Sequence, residues 1–168
     1  GSHQPAFGGG GWDAFVVKFD GSGVRQWGTY YGGGSQEEGR SCSTDASGNI
    51  FLAGYTYTPT STAIATIGSH QAALGGGRDA FLVKLDGNGV RQWATYYGGS
   101  GDEFGWSCAT DASGNVFLAG ESDSPNNIAS GGYQNALTGT LNLFVAMFDN
   151  GGSRLCATYY GQNNEIFG

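Results

Sequence analysis

The chain has 168 residues, enough for one domain with a core of its own. Its 7 Lys and Arg stand against 14 Asp and Glu, a formal net charge of −7, which argues against nucleic acid and anionic membranes as partners. No apolar run approaches the about 18 residues of a spanning helix, so the sequence gives no sign of membrane insertion.

With only 12% charged residues, 14% aromatics and 33 Gly, the composition suits many short strands joined by tight turns. The leading GSHQ recurs at 68–71, which marks it as native sequence. DAFVVKFD (13–20) alternates, with Phe15, Val17 and Phe19 on one face and Val16 and Lys18 on the other. DGSG supplies a turn, and VRQWGTYYGG (24–33) reads as a second strand, rich in aromatic and β-branched residues. A small-residue strand, RSCST, runs into a DASGN turn, and IFLAGYT (50–56) is a fourth strand. No segment holds a helical period over ten residues.

The same phrases then return. Asp13, Arg25, Tyr31, Asp45 and Gly54 reappear 66 residues on as Asp79, Arg91, Tyr97, Asp111 and Gly120. A third copy follows 63 residues later, with Arg154 and Tyr160. The length change falls in 55–67 and 121–130, which reads as surface loop. Four antiparallel strands per roughly 65 residues, in tandem, is the pattern of a β-propeller blade. The thin strand Ser41–Thr44 belongs innermost, and Trp27 and Tyr30 farther out, where blades splay. The rival is a β-sandwich of repeated hairpins.

The signatures DAFxxKxD, RxWxTYYGG and TDxSGNxFxxG stand at 13–20, 25–33 and 44–54 and again near 79, 91 and 110. On these the chain resembles the bacterial SBBP β-propeller repeat, over nearly the whole of two copies and the first half of the last. The third copy departs, with Asn142 for Asp and Met147 for Lys. The resemblance implies a large, exported, multi-repeat surface protein tied to adhesion, with no defined catalytic activity.

The expected all-β fold is a partial propeller of about two and a half blades: an outer half-blade at 13–33, blades at 39–99 and 105–161, and the start of another at 162–168. Closed propellers need at least four blades. The expectation is therefore an excerpt of a longer chain, whose partners are further blades or neighbouring subunits.

Acidic loops follow each TYYG, with Glu37 and Glu38, then Asp102 and Glu103, then Glu165. They should line one mouth, where carboxylates can hold Ca²⁺ or a sugar hydroxyl or else cap backbone N–H groups in the turn. Asp102 and Glu103, adjacent on a strand, point to opposite faces and make a poor acid/nucleophile pair for a hydrolase. DASGN lacks the alternating ligands and distal Glu of an EF-hand and reads as a hairpin turn. His3 and His70 recur and become Tyr133, so packing explains them better than catalysis. Arg25, Arg91 and Arg154 are expected to stack on Trp or pair with a turn Asp. Cys42, Cys108 and Cys156 read as small buried side chains, with no metal spacing and no disulfide framework, a Cys42–Cys108 bridge being the alternative. The expected function is a noncatalytic, secreted scaffold that displays loops to surface proteins or glycans. The alternative is a sugar-binding propeller using Tyr55, Tyr57 and Trp106 near a mouth.

Overall fold

A computed structural model describes residues 2–59 and 61–162. Among them the fold is all-β, without a helix. The strands are β1 (Ala14–Phe19), β2 (Arg25–Tyr31), β3 (Glu37–Thr44), β4 (Ile50–Thr56), β5 (Asp79–Leu85), β6 (Arg91–Tyr97), β7 (Glu103–Thr110), β8 (Val116–Ser122), β9 (Asn142–Phe148) and β10 (Arg154–Tyr160). They form three antiparallel meanders, β1-β2, β3-β4-β5-β6 and β7-β8-β9-β10, each joined in chain order.

The turns form because their Asp side chains hold them. Asp45 Oδ1 accepts the N–H groups of Ser47 and Asn49, both at 2.9 Å, and Oδ2 accepts Asn49 Nδ2 at 2.7 Å. Asp111 repeats this with Ser113 and Asn115, and Asp20, Asp86 and Asp149 hold the β1–β2, β5–β6 and β9–β10 turns in the same way. Both small-residue strands carry a bulge at the same place. The register slips between Gly39 and Ser41 in β3 and between Gly105 and Ser107 in β7, leaving Arg40 and Trp106 as the extra residues.

The middle sheet is covered on both faces, which is why β4 and β5 are buried throughout. One face sends Leu52, Phe81, Val83 and Leu85 against Ala14, Val16, Trp27 and Tyr31 of the first sheet. The other sends Ala53, Ala80, Leu82 and Trp93 against Leu118, Phe144, Ala146 and Phe148 of the third. Each Val, Leu or Phe among them contributes about 1.5–3 kcal/mol by leaving water, and each Ala less. The alternation in DAFVVKFD is real, but in β1 its aromatic face, Phe15 and Phe19, is exposed, whereas the equivalent Phe81 and Leu85 are fully buried. Burial depends on the sheet in front, which periodicity does not report.

The two seams use the same contacts. Trp27 Nε1 donates to Gly87 O at 3.1 Å, and Trp93 Nε1 to Asn150 O at 3.0 Å. Lys18 Nζ and Lys84 Nζ donate to those same carbonyls. Where the four-stranded sheets meet, β7 lies against β3, β4 and β5. Cys108 N donates to Ser41 Oγ at 3.2 Å, and Thr110 Oγ1 to Thr44 O at 2.9 Å, so the thin strands are neighbours. The cysteines are free, but only Cys108 is buried; Cys42 and Cys156 are exposed. Cys108 is covered because Ser41 of β3 lies against it, whereas its equivalent Cys42 sits in β3, against which the described two-stranded first sheet sets no thin strand, and Cys156 lies in the edge strand β10.

Candidate functional site: an aromatic and guanidinium cluster at the β3–β7 seam

The acidic loops divide into two kinds. Glu37 and Glu103 are buried. Glu37 accepts Gly33 N at 2.7 Å, Thr56 Oγ1 at 2.6 Å and Thr58 Oγ1 at 2.5 Å. Glu103 accepts Gly99 N at 2.8 Å and Ser122 Oγ at 2.6 Å. These carboxylates cap internal donors and extend the strands two residues ahead of Gly39 and Gly105. Beside Glu103 lies Asp79, also buried, which accepts Gln71 Nε2 at 2.5 Å and Gly75 N at 2.9 Å. Gly98 separates the two acids: a Cβ there would meet Glu103 Oε2 at 2.3 Å and Asp79 Cγ at 2.5 Å, so only glycine fits. Burial, reinforced by the charge of Glu103, pushes the Asp79 carboxyl up to about 7, and burial raises Glu103 as well.

The third copy has Asn142 at the Asp79 position and Ile166 at the Glu103 position. Asn142 Oδ1 accepts Gln134 Nε2 at 2.9 Å and Thr138 N at 2.8 Å, the same network without the acid. The pair is therefore part of the architecture. Glu165 lies outside the described residues.

Asp102 is different. It points away from Glu103, as adjacent strand residues must, and pairs with Arg78 at 3.0 Å. Arg78 lies over the rings of Tyr57 and Phe104, its Cζ 5.0 Å and 4.3 Å from their centroids. Phe104 is stacked on Trp106, with centroids 5.2 Å apart and planes at 6°. Tyr55 meets Phe104 edge-on at 4.9 Å and Trp106 at 5.9 Å. Arg40 closes the group: it lies over Tyr55 and Trp106 at 5.3 Å and 5.2 Å, pairs with Glu38 and donates to Tyr55 Oη at 2.9 Å. Each cation–ring contact is worth about 0.5–1 kcal/mol at an exposed site. Trp106 remains 39% exposed and Tyr57 37%, while Tyr55 is buried beneath them.

Tyr55, Tyr57, Trp106 and Asp102 thus come together, and Glu37 and Glu103 stand apart from them. Arg40, Arg78 and Phe104 were missed. The signal that could have found them is non-repetition. Arg40 faces Trp106 in the repeat alignment, Glu38 faces Phe104, Tyr55 faces Glu121, Tyr57 faces Asp123, and Arg78 faces Leu141. Side chains that build the fold recur, whereas these differ from copy to copy and converge on one seam.

The remaining polar residues serve the scaffold. His3 packs on Tyr31, and His70 on Tyr97 and Phe148; burial lowers the pKa of both. Arg91 and Arg154 neither stack on Trp nor pair with Asp. They donate to the loop carbonyls of Thr62 and Ala63, and of Asn127 and Ile128, because the loops that follow β4 and β8 leave those groups unpaired. Among the described residues, no group of three or more His, Cys, Asp and Glu is arranged to hold a metal ion. No protein-family model matches the chain, and no curated protein matches it.

Proposed function

We propose that the chain is a noncatalytic module of an exported bacterial surface protein of the SBBP type, its sheets arranged as propeller blades that hold loops rigidly for partner contact. The observation that carries this reading is the repeated seam. Trp27 to Gly87 and Trp93 to Asn150 are one contact made twice, and the thin strands β3 and β7 lie side by side, which supports a reading of the sheets as successive blades. The loops suit display because they are pinned from below. Tyr31 Oη donates to Ile64 O, Tyr96 Oη to Thr58 O and Tyr97 Oη to Ile128 O, while Ile67 stands 93% exposed. The outer faces of the first and third sheets, with Phe15 and Phe19 on one and Val145 and Leu155 on the other, are exposed and apolar. They would be covered by further blades of the same protein or by a neighbouring subunit.

The test is surface exposure in the native organism. Brief protease treatment of intact cells, followed by mass spectrometry, should release peptides of this chain from loops 55–67 and 121–130. Recovery only after lysis would overturn the export reading.

A further inference from the structure

We infer that the cluster at the β3–β7 seam is a binding site for a neutral saccharide, with Trp106 and Tyr57 as the apolar surface and Arg40, Glu38, Arg78 and Asp102 as the polar rim. The inference does not rest on export or on ring closure; it rests on what the two bulges present.

A bulge residue drops out of the ladder and is re-aimed, and bulges are over-represented next to functional sites. Here the same bulge occurs in adjacent thin strands and presents Arg40 from one and Trp106 from the other, 5.2 Å apart. The backbone device repeats while the side chain changes. That is the mark of a position whose side chain is free of the fold.

The chemistry selects the ligand. Saccharides offer apolar C–H faces edged by hydroxyls, each both donor and acceptor. The site offers exposed rings edged by guanidinium donors and carboxylate acceptors. Arg40 and Arg78 lie over Tyr55, Trp106, Tyr57 and Phe104, so an ammonium ligand meets like charge at every ring, whereas an uncharged saccharide needs only the ring surface of Trp106 and Tyr57 that stays exposed. Glu38 and Asp102 balance the two guanidinium charges, and Glu121, cross-strand from Phe104, tips the surroundings negative. An acidic saccharide is therefore disfavoured, the more so on a chain of net charge −7. Neighbouring rings lie 4.9–6.3 Å apart, a spacing on the scale of one or two sugar units.

The experiment is NMR titration of the ¹⁵N-labelled chain, following the four indole N–H signals and the arginine side chains, with maltohexaose, cellohexaose, xylohexaose and chitohexaose as probes. Oligogalacturonate and choline serve as charged controls. At least one neutral probe should shift the Trp106 indole and the Arg40 and Arg78 side chains, leaving the Trp27 and Trp93 indoles in place. Trp106→Ala and Arg40→Ala should each weaken that binding about tenfold or more, Trp106→Phe should recover part of it, and Tyr133→Ser should leave it intact. Should Trp106→Ala lower the melting temperature, Arg40→Ala and the shift map decide. Silence from all four neutral probes at millimolar concentration, binding that survives both alanine variants, or binding of only a charged control would overturn the proposal.

Discussion

The indole N–H of Trp93 reaches across a sheet boundary to the carbonyl of Asn150, 57 residues away, at 3.0 Å. Gly152, two residues beyond that carbonyl, sits with φ of 88° directly over the same ring, where a Cβ would meet Cδ2 at 2.7 Å. Gly23, at the equivalent kind of turn in the first sheet, has φ of 83° but open space around it.

The comparison separates backbone strain from seam packing. Gly23→Ala should cost about 1 kcal/mol, the usual penalty for a side chain in the left-handed region. Gly152→Ala should cost at least about 2 kcal/mol more, because the ring beneath cannot give way. Trp93→Phe, which drops the donor and trims the packed ring, should cost at least about 1–2 kcal/mol. Urea unfolding of the three variants checks this; equal losses for the two glycines would remove the seam from the account.

The buried acids predict a pH dependence. Asp79 holds its proton up to about 7 in the folded chain, while its ordinary value is 3.8. Between those values the native state binds a proton that the unfolded state has released, so this group makes stability fall as pH rises from about 4 to about 7, by a few kcal/mol at about 1.4 per unit. Asp79→Asn installs what the third copy already carries at Asn142. It should fold, gain stability at pH 8, and show little gain at pH 4. Melting temperatures of the two proteins across that range give the difference directly. Curves that run parallel would contradict the assignment.

The DASGN turns predict indifference to calcium. The Asp111 carboxylate is held below its usual range by the donors of Asn115, helped by Ser113 and Gly114, and none of these is a cation. Asp111→Ala and Asp45→Ala should each lower the melting temperature through lost turn hydrogen bonds. Millimolar calcium should leave the melting temperature of the parent chain where it is. A rise with calcium that Asp45→Ala abolishes would contradict the reading of DASGN as a plain hairpin turn.

The legible part of this protein was whatever it says more than once. Strands, Asx turns and their order repeat, so IFLAGYT at 50–56 could be placed to the residue. The buried role of Glu37 and Glu103 was written in the same way, since both recur while their neighbours Glu38 and Phe104 differ, but the surrounding Gly, Gln and Asp made the loop look like open acidic surface. Bulges were not legible, because an alternating pattern carries no sign of the one extra residue that turns Arg40 and Trp106 outward. Nor was the fate of Arg91 and Arg154, whose partners are backbone carbonyls and therefore leave no trace in side-chain identity.

The placement of β3 beside β7 is the claim on which seam, site and scaffold all depend, and disulfide trapping measures it. Ser41 Oγ lies 3.8 Å from Cys108 Sγ, within reach of a bridge between the two strands. In a chain with Cys42 and Cys156 changed to Ser, Ser41→Cys should give, under mild oxidation of the folded protein, a bond between position 41 and Cys108 that mass spectrometry detects in the monomer. A folded protein whose two thiols stay reduced, or bridge only between molecules, would contradict the arrangement.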